Sequence, residues 1–314
     1  MLHYVVRKVF ASVPIVLGVT LIVFAILHLT PGDPIRIMLG FGGGGYSGGT
    51  TSSADVEALR AKWGLDQPFH VQYLKWLNNM FHGDMGISIR FRCPVWPLVR
   101  ARLFPTISLS LVGYLIAFVI AFPIGILSAL KRNSLLDYFG TGFSLFGMSM
   151  PSFWLGLMLI LLISVRLRLL PTSGLESWKS YIMPGFTLGF GLAGGLTRMV
   201  RSSMLEVLRQ DYITTARAKG LVEHLVIIKH ALRNAFIPVL TILGFYLAYI
   251  FSGSILIETV FAWPGMGRLL VQALTTRDYP VVQAIVLLGA GTVVIANLVT
   301  DLLYGAVDPR IRYE

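Results

Sequence analysis

The chain has 314 residues, 55% of them hydrophobic and only 13% charged, with a formal net charge of +11. With a mean hydropathy of +0.73, this composition belongs to the membrane class and excludes an ordinary soluble domain. Excess Lys and Arg in such a chain reflects topology and anionic lipid rather than nucleic acid. The single cysteine, Cys93, rules out intrachain disulfides and cysteine metal clusters.

The N-terminus carries Arg7 and Lys8 ahead of an apolar run, Val9–Leu29. That run is too long for a signal-peptide core and no small-x-small cleavage site follows it, so residues 1–30 are predicted to form an uncleaved first transmembrane helix. Thr30-Pro-Gly-Asp-Pro34 ends it sharply.

Residues 31–102 are polar and are predicted to form an extracytoplasmic segment with two short helices. Its first part is a glycine-rich linker. Gly40, Gly42 and Gly45 satisfy G-x-G-x-x-G, but no strand precedes them and no helix follows directly, so a nucleotide site is rejected. Ser52 and Asp55 suit a capping box ahead of Val56, Leu59 and Trp63. Asp66 and Pro68 open a second helix, with Tyr73, Leu74, Leu77, Met80 and Phe81 on one face. His70, His82 and Asp84 follow no metal-ligand spacing and are read as surface residues. The helices pack on the outer mouth or dock an extracellular partner.

Residues 103–314 are predicted to form a five-helix core. Its spans are Leu103–Leu130, Tyr138–Val165, Tyr181–Thr197, Asn234–Ile257 and Tyr279–Thr300, each near the ~20 residues that a ~30 Å hydrocarbon core requires. Six spans put both termini on one side. With the long segment Thr30–Arg102 set aside, one face carries 13 basic residues and the other five. The positive-inside rule makes the richer face, with both termini, cytoplasmic.

That face includes the loop 198–233, with Arg198, Arg201, Arg209, Arg217, Lys219, Lys229 and Arg233. A basic side chain at the bilayer centre costs about 2.5–3.5 kcal/mol, so the loop must lie in water although both ends are tied to the membrane. It reads as a handle that a soluble protein grips. Asp211 suits an N-cap and Gly220 a left-handed C-terminal stop, with about two helical turns between them. Ile213, Ala216 and Gly220 share a small, shallow face that another backbone could approach. Arg217 and Lys219 remain for charged contacts.

The spans hold essentially no ionisable residue; Glu258, Asp301 and His28 sit at span ends. A proton- or sodium-driven carrier would need an acidic group near mid-membrane. No catalytic constellation and no Walker A pattern occurs. The reading is a pore driven by an external engine.

Several motifs are shared with one family: Pro31-Gly-Asp-Pro34, Leu65-Asp-Gln-Pro68, His82-Gly-Asp84-Met-Gly86 with Ser88, and Met150-Pro-Ser-Phe-Trp154. Arg201–Leu208, Asp211–Gly220, His230–Pro238, Glu258–Arg268, Arg277-Asp-Tyr-Pro280 and Asp308–Tyr313 continue the match. On these the chain resembles the membrane subunits of bacterial ABC importers, in the permease family for dipeptides, oligopeptides and nickel.

The resemblance implies an all-α, polytopic type I ABC importer permease with six transmembrane helices in the inner membrane. It implies a second homologous permease subunit, two ABC ATPase subunits and an extracytoplasmic solute-binding protein. ATP and Mg are held by the partner ATPases and no cofactor or metal by this chain, which is not an enzyme. The family's coupling motif has the form E-A-A-x-x-x-G; Thr214-Thr215-Ala216 stands in its place here, followed by Gly220. By resemblance Asp211, Tyr212, Thr215, Ala216, Arg217, Lys219 and Gly220 couple to the ATPase. The turn with Glu258, Trp263, Pro264, Gly265, Arg268 and Asp278 is expected to form an outer gate or binding-protein contact. The expected cargo is di- or oligopeptides, with a nickel chelate or glutathione as the alternative. A secondary carrier or channel is the distant alternative, and a membrane enzyme is more remote.

Overall fold

The computed structural model describes residues 2–29, 57, 66–248, 250–251 and 254–307. The glycine-rich linker, the capping box at Ser52 and the motifs at 31–34 and 308–313 lie outside them. The described residues form helices: α1 (Leu2–Leu29), α2 (Phe69–Phe81), α3 (Val95–Leu130), α4 (Leu135–Ser149), α5 (Ser152–Leu159), α6 (Ile182–Val207), α7 (Asp211–Ala218), α8 (Arg233–Ala248), α9 (Ile255–Val260), α10 (Met266–Thr275) and α11 (Tyr279–Val307). Two π-helical stretches, Ile160–Arg166 and Val226–Leu232, extend α5 and lead into α8.

Among the described residues four helical segments are long and apolar enough to cross a membrane: Val6–Ile26, Val95–Leu130, Glu223–Ala248 and Tyr279–Leu302. The expected straight span Tyr138–Val165 is instead a bent pair, Leu135–Ser149 and Ser152–Arg166, meeting at 96°. Pro151 is the cause. It has no N–H to donate, and Met150 before it takes an extended conformation (φ −78°, ψ 122°) that no helix continues. The expected span to Ile257 stops at Ala248, and α9 is a separate short helix.

Helix α6 sits at the centre, with half of its 26 residues buried. Its low hydropathy has a packing reason. A Cβ at Gly189 would lie 2.7 Å from the Gly113 carbonyl of α3, and one at Gly194 would lie 2.8 Å from the Ser144 carbonyl of α4. The missing side chains let three backbones close on one another, which is how helices associate where burial from water gives no driving force. Ser144 Oγ then donates to the Gly194 carbonyl at 2.6 Å.

Helix α2 begins where Asp66 and Pro68 predict. Tyr73, Leu77 and Met80 of the expected face are packed, and Phe69 and Trp76 join them. Phe69, Tyr73 and Trp76 surround Phe24 of α1 at 5.1, 5.4 and 5.9 Å between ring centroids, and the Tyr73 hydroxyl lies 3.0 Å from Thr20 Oγ1. Leu74 and Phe81 are left exposed. The Phe24 ring of α1 draws Phe69 and Trp76 into the contact beside Tyr73. Lys8 Nζ lies 2.9 Å from an Asp301 carboxylate oxygen, so α1 and α11 are joined near one end of the bundle.

Candidate functional site

The handle follows from α6 without a long linker. α6 ends at Val207, a turn over Leu208–Gln210 redirects the chain, and α7 runs from Asp211 to Ala218. Gln210 is extended (φ −75°, ψ 147°) and occupies the N-cap position without a side-chain cap. The expected capping role of Asp211 is therefore corrected. It sits one residue further on, inside the first turn, where its charge still faces the positive end of the helix.

Gly220 behaves as expected. It is left-handed at φ +76°. Its N–H donates to the Arg217 carbonyl at 2.9 Å, and the Leu221 N–H donates to Ala216 at 3.4 Å. This pair of bonds is a Schellman stop.

The predicted shallow face is not open. Ile213 and Ala216 are buried in a cluster with Met204, Val226 and Ala231 of this same chain. They fasten α7 to the base of the bundle, so Ala216 offers no side chain to a partner. Asp211, Tyr212, Thr214, Thr215, Arg217, Lys219 and Gly220 remain exposed. Arg217 is shared with Glu223, donating at 2.6 and 3.1 Å. That hydrogen bonding raises the guanidinium's pKa still further. An exposed pair of this kind adds well under about 1 kcal/mol, but it fixes where the guanidinium points.

Above the handle a second pair ties α6 to α4. Arg201 Nε and Nη2 donate to the two carboxylate oxygens of Asp137 at 2.5 and 2.9 Å, and the Asn133 N–H adds a third bond at 2.9 Å. Asp137 is 3% exposed. The sequence marks Arg201 as a loop charge and as the start of a family motif, but does not single out Asp137. An acid 64 positions away leaves no local trace in a sequence.

At the opposite end, the turn after α9 is closed by buried carboxylates. Glu258 is fully buried and accepts from Thr106 Oγ1 at 2.7 Å, Ser254 Oγ at 2.9 Å and the Arg268 N–H at 3.0 Å. It thus links α3, α9 and the first turn of α10. Cβ atoms at Gly265 and Gly267 would lie 2.3 and 3.1 Å from its carboxyl group, so these glycines make room for it. Trp263, also fully buried, donates from Nε1 to the Pro105 carbonyl at 3.0 Å. Asp278 accepts from Ser88 Oγ, the Ile89 N–H and the Arg90 N–H at 2.5, 3.0 and 3.2 Å, pinning the outer segment to the start of α11.

Glu258, Trp263 and Asp278, expected at an outer gate or a binding-protein contact, have side chains that are buried rather than displayed. Each side chain is enclosed by this chain, and their roles are internal braces. Pro264 and Arg268 are half-buried, and Arg268 donates to the Ala262 carbonyl at 2.6 Å. Gly265 is buried.

The family model described as "Binding-protein-dependent transport system inner membrane component" matches residues 121–313, and its N-terminal companion matches residues 1–110. The chain belongs to this family. Over the whole of both chains, this permease component is 44% identical to the oligopeptide transport system permease protein AppB of Bacillus subtilis. It is 41% identical to the dipeptide permease protein DppB of Escherichia coli K12 and 43% to the glutathione permease protein GsiC of Salmonella paratyphi A, again over all of each chain. The MetNI methionine ABC transporter, solved in inward-facing conformations, gives a TM-score of 0.56 over 67% of this chain and 96% of that one at 21% identity, a likeness of fold.

The permease is accordingly a transport subunit of the inner membrane, and ATP hydrolysis belongs to separate subunits. Membership implies, in general terms, a partner permease, ATPases and a binding protein.

Proposed function

We propose that this chain forms, with a second related permease, the path through which an ATP-driven importer carries di- or oligopeptides released by a binding protein. The carrying observation is full-length identity above 40% to permeases named for oligopeptides and dipeptides. The similar identity to a glutathione permease keeps small thiol peptides within the same reading.

In this reading the handle faces the cytoplasm, with both termini. Tyr212, Thr215, Lys219 and the backbone at Gly220 meet a groove of one of two ABC ATPases, while Asp211 and Arg217 shape the edge of that contact. ATP and Mg are held by the ATPases. Nucleotide-driven closure displaces α7, and α6 carries the displacement into the bundle. Such coupling requires contacts at α7 that differ between the two nucleotide states. The braced turn around Glu258 serves as the rigid outer rim of the path.

The test is uptake of a radiolabelled dipeptide and of glutathione into proteoliposomes holding the complete complex and its binding protein. Uptake that stops when the ATPase is inactivated is the expected result. Uptake that persists without ATP hydrolysis, or that follows a proton gradient, would overturn the proposal in favour of a secondary carrier.

A further inference from the structure

A groove of about 610 Å³ lies between α1 and α11 and is bounded at its far end by residues from Phe251 to Leu270. Its lining is ordered. At the end nearest the handle stand Lys8 and Ser12 of α1, with Asn297 and Asp301 of α11 opposite. Each helix thus contributes two polar side chains one turn apart. Beyond them the wall is apolar, as at Val16, Val19 and Val286.

Three occupants fit an apolar groove in such a protein: cargo, a partner helix or a lipid. Peptide cargo would need hydrogen-bond partners along its whole length, and this groove concentrates them at one end. A partner helix is about 10–12 Å across with its side chains. An acyl chain is thinner and needs no polar partners. The groove runs about 17 Å along α1 and, from Ile285 to Asp301, about 24 Å along α11. Half of a bilayer with its headgroup layer is about 20–22 Å.

The polar end narrows the choice of lipid. The Lys8 ammonium and Asp301 carboxylate stand 2.9 Å apart, with side chains 50% and 26% exposed. A purely anionic headgroup would meet Lys8 but be repelled by Asp301. A headgroup bearing both a phosphate and a primary ammonium can lay its charges against both. Ser12 and Asn297, one turn deeper, stand at the level of the glycerol esters.

We infer that the groove binds a phosphatidylethanolamine-type lipid of the leaflet on the handle side, with one acyl chain between α1 and α11 and its headgroup on Lys8 and Asp301. The site is independent of which cargo is carried.

The test uses the complete transporter in phosphatidylcholine nanodiscs doped with diazirine-tagged phosphatidylethanolamine or phosphatidylglycerol, with adducts mapped by mass spectrometry. Ethanolamine-lipid adducts are expected on the groove-lining residues of α1 and α11. Gly289→Phe fills the groove where a Cβ meets nothing within 4 Å, and Gly142→Phe on α4 is an equally open control. Losing room for about two methylenes should reduce labelling about tenfold in the first variant and leave it unchanged in the second. Asp301→Ala should remove the preference for ethanolamine over glycerol headgroups while labelling persists, a reading that does not depend on the filled variant's assembly. Absence of adducts from α1 and α11, or equal labelling of the unsubstituted protein by both lipids, would overturn the inference. So would protection of the groove by a helix of the second permease.

Discussion

Removing Arg201 should separate ATP hydrolysis from transport. The pair with Asp137 is bidentate, and among the described residues Asp137 also accepts from the Asn133 N–H and lies near the Arg132 charge. Arg201→Ala removes the bidentate partner and leaves only the Arg132 charge nearby, so the cost of about 3–5 kcal/mol for breaking a fully buried pair is the upper figure. Stability alone is therefore an ambiguous readout. Replacing both partners by apolar residues of similar size, Arg201→Met with Asp137→Leu, is close to neutral for stability, because no charge remains buried. It still removes the fixed link between α4 and α6. The assay is the ratio of dipeptide taken up to ATP hydrolysed, measured in proteoliposomes with melting temperatures recorded in parallel. The double variant should melt close to the unsubstituted protein, keep its ATPase activity and lose uptake per ATP. A double variant with a normal ratio would show that the pair supports stability only, and the transmission argument would fail.

Three further changes probe the other contacts. Lys219→Glu, on the exposed face of α7, should weaken capture of the ATPase subunits in a pull-down while altering stability by no more than about 0.5 kcal/mol. Ala216→Asp should instead lower the melting temperature, because that side chain faces Met204 and Val226 rather than a partner; equal melting of both variants would contradict the orientation of α7. Glu258→Ala leaves two buried hydroxyl donors and the part-buried Arg268 N–H unpaired, at about 1–3 kcal/mol for each buried one, so a drop of at least about 2 kcal/mol is expected in thermal unfolding, with Glu258→Gln milder.

Much of this architecture is legible in the sequence because bilayer physics writes it in long runs. The charge-free stretches locate α3 and α11, and Gly220 marks the end of α7 because only a left-handed residue closes that turn. The misreadings share a cause. Hydropathy sees length but not direction, so the apolar stretch containing Pro151 looks continuous until that residue's missing N–H is weighed against it. Spacing alone assigned Ile213 and Ala216 to one face correctly, but could not say whether that face looks outward or back onto α6. Glu258 and Asp278 read as part of an outer gate or binding-protein contact because charged residues are usually displayed rather than buried. Their partners, Thr106 and Ser88, lie 152 and 190 positions away.

Helix α3 decides how this subunit can move. It is continuous for 36 residues, about 54 Å. Near its N-terminal end Pro105 and Thr106 hold Trp263, Glu258 and the N–H of Met266. Further along, Gly113 meets α6 at Leu188, and near its C-terminal end Gly125 meets α6 at Val200, each too close for a side chain. The handle is fastened to α6 through Met204 and Ile213. The braces around Glu258 and the handle are thus joined through one continuous helix, and moving one against the other would require α3 to bend at its interior prolines, Pro105 and Pro123, or its glycine contacts to open. The motion that ATP drives must then fall largely between this subunit and its partner, as a rigid-body rotation at an interface. Spin labels at Thr215 on α7 and at exposed Leu274 on α10 should keep the same separation with and without trapped nucleotide. Labels at Leu274 of this chain and on the second permease should change theirs. A shift of several ångströms within the chain would place the hinge inside this subunit and refute a rigid α3.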